Sequence, residues 1–321
     1  MAKVNIDIAN FNLTYGKEEL PLLTHFNDFI YPAFKSKIER EVDGNKYFFK
    51  SVKLIETRQG IAMKGLIVKD TVLEVKSLVE EGELVETNKE YSSAPYSFFC
   101  IFLKNHRMIF APNQKGSPDI RSFNVTTRYI LGQYRKIENE RIKKEIEEVI
   151  DNTKSEKPKL IPYFDLRVTG IPQKDEILKQ LKRVKKINNL KIRFYPLNGE
   201  DIDNSDIIND QIRGIREKLG SNTGNIVFNS PENKIETAQF IEDLGETVDA
   251  SLNVTFPSGS TGKIKNNNFS EKYQFTIDSD QVSEKEKELI DNMLNVPSLI
   301  KTSGSNENIY KKFVDKIKNL L

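Results

Sequence analysis

The sequence predicts an α+β protein in two parts: a β-rich N-terminal domain with long helices, and a C-terminal α/β domain with a mixed sheet covered by helices on one side. Three observations carry this. Residues 43–111 are rich in short apolar, β-prone runs separated by turn residues. Residues 160–277 instead alternate strand-like and helix-like segments. Between them lies a polar, proline-bearing stretch, Thr153-Lys154-Ser155-Glu156-Lys157-Pro158-Lys159. The chain has 321 residues, and single cores stop growing near ~250–300 residues. The expected organisation is therefore a domain over 1–152, a linker over 153–159 and a domain over 160–321.

The elements follow in order. Val4, Ile6 and Ile8, then Phe11 and Leu13, alternate as in a first strand. Leu20 to Val42 has apolar residues at three- and four-residue spacing and reads as a helix that Pro32 kinks or splits. Tyr47 to Glu56 and Ile61 to Lys69 read as strands, Thr71 to Val75 as a further one, and charged residues 76–93 as helix or loop. Tyr96–Leu103 and Met108–Ala111 are apolar without alternation, as in strands buried on both faces, with Lys104-Asn105-His106-Arg107 as a tight turn between them. This hairpin is expected at the centre of the first sheet. Ser117-Pro118-Asp119 opens a long helical region, one helix or two, that runs to about Asn152.

In the second half, strands are expected over 160–168, 190–195, 225–228, 250–256 and 273–277, and helices over 175–187, 206–219 and 237–244. Ser283 and Glu286 have capping-box spacing before another helix. Asn308 to Leu321 reads as a terminal amphipathic helix with Ile309, Phe313, Ile317 and Leu320 inside.

Composition limits the function. The 19 Phe and 11 Tyr argue for a packed core in a chain that is only 37% hydrophobic and 30% charged. Formal net charge is +2, so only local clustering can mark a polyanionic partner. One cysteine, Cys100, excludes an internal disulfide and cysteine-rich zinc sites and fits a reducing compartment. The N-terminus has no apolar signal core, and no run of about 18 apolar residues occurs. A cytoplasmic protein that does not itself span a membrane is expected. The abundance of Lys, Asn, Ile and Glu resembles the usage of AT-rich bacterial or phage genomes.

Catalytic patterns fail one by one. Gly259-Ser260-Thr261-Gly262-Lys263-Ile264 has two residues between its glycines where a phosphate loop has four, and reads as a flexible hairpin loop. Glu200, Asp201, Asp203, Asp206 and Asp210 lack the glycine and closing glutamate of a calcium loop and suit a helix N-terminus. His25, His106 and Cys100 form no triad pattern. Glu56, Asp70 and Asp165 stand near strand ends without a spacing that marks a metal site. Neither catalytic residues, metal nor cofactor are assigned.

Two basic features remain. Residues 174–193 carry Lys174, Lys179, Lys182, Arg183, Lys185, Lys186, Lys191 and Arg193 against Asp175 and Glu176. On a helix, Lys179, Lys182, Arg183 and Lys186 share a face, opposite Ile177, Leu178, Leu181 and Val184. Arg121, Arg128 and Arg135 recur every seven residues, close to two helical turns, and so also line up. Such stripes suit phosphates, although charged helices also need solvated faces, and Glu138, Glu140, Glu145, Glu147 and Glu148 offset the second.

Several segments resemble the RexA family of phage lambda, the sensors of a two-protein phage-exclusion system: Asp43-Gly44-Asn45-Lys46-Tyr47-Phe48-Phe49, Tyr96-Ser97-Phe98-Phe99, Ser117-Pro118-Asp119-Ile120 and Asn225-Ile226-Val227-Phe228-Asn229-Ser230-Pro231. The order of elements matches over about two-thirds of the chain, and none of these segments is a catalytic motif. The resemblance implies a homodimer that binds double-stranded DNA without strong sequence preference, acts in phage exclusion or abortive infection, and works with a membrane or effector partner protein. It assigns no binding residue. The leading expectation is thus a non-enzymatic DNA-binding defence protein contacting phosphates through Lys179, Lys182, Arg183, Lys186, Arg121, Arg128 and Arg135. The alternatives are a metal-dependent nuclease effector, and an interaction subunit that docks another chain through the Ile142–Ile146–Val149 seam and the last helix.

Overall fold

The computed structural model describes residues 2–149, 159–198, 207–277 and 282–321. It is α+β, with two antiparallel sheets.

Strand β1 (Ala2–Tyr15) has the expected alternation: Val4, Ile6 and Ile8 face one core, and Phe11, Leu13 and Tyr15 the other. A two-residue strand, β2 (Leu20–Pro21), folds back on its end. The long helix expected over Leu20–Val42 is instead three short turns in series: a 3-10 turn (Leu22–His25), a π turn (Phe26–Ile30) and α1 (Tyr31–Lys35). Pro32 sits in the first turn of α1, where a missing N–H costs nothing. The chain is then extended into β3 (Arg40–Val42).

A meander follows: β4 (Asn45–Thr57), β5 (Gly60–Glu80), β6 (Glu83–Ser93), β7 (Tyr96–Phe102) and β8 (Arg107–Pro112). Residues 76–93, expected as helix or loop, extend β5 and form β6. The strands meet at a tight turn in which Glu81 and Gly82 both take positive φ. The β7–β8 hairpin is central and buried on both faces. Phe98, Cys100, Phe102 and Ile109 belong to one core, and Phe99, Ile101, Met108 and Phe110 to the other. Its polar turn is buried too: the Asn105 amide donates to the carbonyls of Leu299 and Lys301 at 2.8 and 2.9 Å.

A single helix, α2 (Ile120–Val149), covers the long helical region. The Asp119 carboxylate accepts the Ser122 N–H at 2.7 Å and caps it. The proposed linker lies outside the described residues except for Lys159. Beyond it come β9 (Phe164–Gly170), α3 (Lys174–Lys182), β10 (Lys186–Phe194), α4 (Ile207–Leu219), β11 (Gly224–Asn229), α5 (Lys234–Leu244), β12 (Val248–Thr255), β13 (Thr261–Lys265) and β14 (Lys272–Ile277). Helices α6 (Glu286–Met293), α7 (Pro297–Ile300) and α8 (Gly304–Lys318) end the chain. Lys285 is the N-cap of α6 and makes no side-chain cap bond, so this helix starts later than the Ser283 pattern suggests. The start of α8 falls earlier than expected, with the Ser303 hydroxyl accepting the Asn306 N–H. Ile317 is buried in the core as read, whereas Leu320 is exposed.

The large sheet runs β14-β1-β8-β7-β5-β4-β3, with β9 added to β1 and β6 to β5. One face packs on α1, α2 and α8, and the other on α6 and α7. The small sheet runs β11-β10-β12-β13. The boundary expected at 153–159 does not divide these sheets, because β9 and β14 lie beyond it and both pair with β1. The reason is the length of β1. Its pairing with β8 spans only Asp7–Asn10, so β14 supplies partners for Ala2–Asp7 and β9 for Ala9–Tyr15. The second unit is thus an insertion, α3 to β13, between two strands of the large sheet.

Candidate nucleic-acid interface

The small sheet has one covered face and one open face. Ile187, Leu190, Ile192 and Phe194 of β10, with Val248, Ala250, Leu252 and Val254 of β12 and Ile264 of β13, pack beneath α3 and α5. Period-two pleating sends their neighbours to the other side. In register across that open face lie Lys186 beside Thr255, Lys191 beside Ser251 and Lys265, Arg193 beside Asp249, and Lys263 beside Asn253. Five cations therefore share one face with one carboxylate, and all five are exposed.

Asp249 is already engaged. It accepts from Arg167 at 3.2 Å and from Thr169 at 3.3 Å, both on β9. Arg167 also stacks over Tyr195, 4.6 Å from the ring centre. This ties the small sheet to the large one and leaves the lysines and Arg193 without a carboxylate within ion-pair distance among the described residues. Where the two sheets meet, a cleft of about 280 Å3 is lined by Thr169, Lys191, Arg193, Ser251, Lys263 and Lys265. The remaining open-face side chains include Asn189, Asn225, Asn229, Asn253 and Thr261, which add neutral donors. Among the described residues this face carries no aromatic ring.

The seven residues expected from the sequence are dispersed by comparison. Helix α3 stops at Lys182, not at Ile187, with Arg183 as its C-cap. Lys185 and Lys186 already run into β10, where Leu190, Ile192 and Phe194 set a period of two beyond a bulge at Ile187/Asn189. The helical stripe Lys179–Lys182–Arg183–Lys186 is thus broken. Lys179 pairs with Glu176, and Lys182 and Arg183 are exposed on the helix-covered side. Only Lys186 reaches the open face.

Arg121, Arg128 and Arg135 do share α2, but two of them hold backbone. Arg128 donates to the Leu166 carbonyl, and Arg135 to those of Ile161 and Pro162 at 3.0 and 2.8 Å. They clamp the segment leading into β9, as does Asn139, which exchanges two bonds with Ile161. Arg141 is held by Glu138 and Glu145.

Lys263 and Lys265 are hard to place from sequence because the glycines, serines and asparagines around them have the composition of a loop. The signal is a short one, Lys-Ile-Lys in β13 mirroring Lys-Ile-Arg in β10: an apolar residue flanked by two cations, the period of a half-buried strand.

Other expected features are absorbed by the fold. Among the described residues no three His, Cys, Asp or Glu side chains converge as a metal site. Asp165 pairs with Arg167. The Glu200–Asp206 part of the acidic cluster lies outside the described residues. Cys100 is fully buried, and burial pushes its thiol far up. Ile142 and Ile146 belong to the large core together with α8, so they are not a free docking seam. No helix among the described residues is long and apolar enough to cross a membrane. Comparison with protein-family models and with curated proteins finds no match for this chain.

Proposed function

We propose that this protein binds double-stranded DNA largely without sequence preference, as a non-enzymatic component of a phage-exclusion or abortive-infection defence. The observation that carries the binding reading is the open face of the small sheet, where Lys186, Lys191, Arg193, Lys263 and Lys265 face solvent with their only carboxylate already paired. Along β10 the cations span about 20 Å, a length that faces roughly six phosphates of one strand. Backbone phosphates are favoured over splayed bases because the face lacks the aromatic platforms on which single strands stack. The defence role rests on the RexA-like segments, which also imply a homodimer and an effector partner, while a cytoplasmic location rests on the composition.

Gel shifts with random-sequence duplex at several salt concentrations test this. If all five cations meet phosphates, the slope of log K against log salt is about −4.5. The triple variant Lys191→Glu, Arg193→Glu, Lys265→Glu should abolish the shift while thermal stability holds. The matching variant on α3, Lys179→Glu with Lys182→Glu, should leave most of the affinity. The opposite ranking would sink the sheet as the contact surface.

A further inference from the structure

Beyond Asp70, β5 leaves its neighbours β4 and β7 and pairs only with β6. Residues 71–93 form a two-stranded arm on the order of 30 Å long, in which no residue is buried. Val79 and Leu84 at its end are 72% and 74% exposed, and Leu73 and Tyr91 are more than half exposed. An isolated two-stranded ribbon is marginal in water, and a row of exposed apolar side chains marks an interaction surface.

The register sorts the arm into two unlike faces. Cross-strand partners share a face. One face carries four rungs in order: Leu73 with Tyr91, Val75 with Lys89, Ser77 with Glu86, and Val79 with Leu84. The bulge between Val75 and Ser77 preserves this order, because the extra residue lies on β6. The opposite face carries the Val72–Ser92 and Leu78–Val85 rungs but also the rungs Glu74–Glu90 and Glu80–Glu83, with Lys76 beside Glu74 at 3.3 Å. The apolar face is therefore electrically balanced, whereas the acids crowd the other side.

We infer that the arm is a homodimerisation element, and that its occupant is the same face of a second copy. The four rungs are self-complementary under a two-fold axis through their middle. The Leu73–Tyr91 rung of one copy then meets Val79–Leu84 of the other, and Lys89 meets Glu86, twice over. A basic partner would be drawn to the glutamate face instead. This gives the homodimer read above its surface. It rests on that reading for stoichiometry alone, since it uses none of the small-sheet cations.

Sedimentation velocity on the full chain over a range of concentrations tests it. Wild type should show a concentration-dependent dimer, and Leu73→Glu with Val79→Glu and Leu84→Glu should be monomeric with an unchanged melting temperature of the main transition. Lys89→Glu alone and Glu86→Lys alone should each weaken the dimer, because each places like charges in contact. Mixing these two single variants should restore it as a heterodimer. A wild type that stays monomeric overturns the inference. So does a dimer indifferent to the triple variant, or a mixture that fails to recover. The DNA-binding variant Lys191→Glu, Arg193→Glu, Lys265→Glu should still dimerise, so loss of DNA binding and loss of assembly are read separately.

Discussion

The two sheets share antiparallel pairing and differ in what covers them. Outside the β5–β6 arm both faces of the large sheet are buried, one under α1, α2 and α8 and the other under α6 and α7. The small sheet is covered on one face only, by α3 and α5, and its open side is polar and cationic. The large sheet accordingly stores stability, while the small one offers a surface. Substitutions in the two sheets should therefore be felt differently. Side chains of the large sheet should act on folding, and open-face side chains of the small sheet on binding.

The largest effect should come from the centre of the large core. The Phe123 ring lies 5.1–6.4 Å from those of Phe11, Phe34, Phe49, Phe99 and Phe110. Phe123→Ala removes the hub of this cluster and should cost about 3–5 kcal/mol in denaturant unfolding. A loss under 1 kcal/mol would break the assignment of stability to this sheet.

His106 makes the stability of the buried sheet depend on pH. It takes φ 58° in the β7–β8 turn, is fully buried, and neither ring nitrogen has a hydrogen-bond partner among the described residues. Burial, then the charge of Arg107, hold its pKa down at about 3 against the ordinary 6.5. The folded state therefore stays neutral where the unfolded state gains a proton. Stability from this residue is full above about pH 6.5 and is lost as pH falls toward 3, by roughly 2 kcal/mol between pH 6.5 and 5. His106→Asn keeps a residue that tolerates positive φ and removes the titration, so its unfolding free energy should fall less over that window. Parallel pH profiles for the two proteins would disprove the buried neutral imidazole.

A similar cost is expected where α8 meets the β4–β5 turn. Gly60 has φ +94°, and a Cβ there would stand 2.7 Å from the Tyr310 hydroxyl, which accepts the Ile61 N–H at 2.8 Å. Gly60→Ala should cost about 2 kcal/mol, from the left-handed backbone and the displaced tyrosine. Tyr310→Phe leaves the Ile61 N–H unpaired and should cost about 1 kcal/mol. The smallest effect belongs to the small sheet: Lys191→Glu, Arg193→Glu, Lys265→Glu should move stability by less than about 1 kcal/mol while removing DNA binding. Thiol labelling gives an independent check of the buried centre, since Cys100 should react only as fast as the protein unfolds.

Much of the fold was legible locally. The β7–β8 hairpin announced burial on both faces through unbroken apolar runs, and β10 and β12 announced one covered face by alternation. Two segments differ from their local pattern. Lys182, Arg183 and Lys186 fit a helix on spacing alone, yet the strand beginning at Lys186 ends it. Residues 76–93 are as charged as a surface helix, and it is the positive-φ turn at Glu81-Gly82 that folds them into a ribbon.

By itself the sequence determined the class of fold, the central buried hairpin, the long α2 and the local enrichment of cations around residues 174–193, because each depends on periodicity within one segment. Tertiary structure alone decided that β9 and β14 return to β1, that Arg128 and Arg135 bind carbonyls, and that β13 brings Lys263 and Lys265 beside Lys191 and Arg193. Those outcomes rest on strand pairing and side-chain reach between residues some 26 to more than 250 positions apart, which no local pattern encodes.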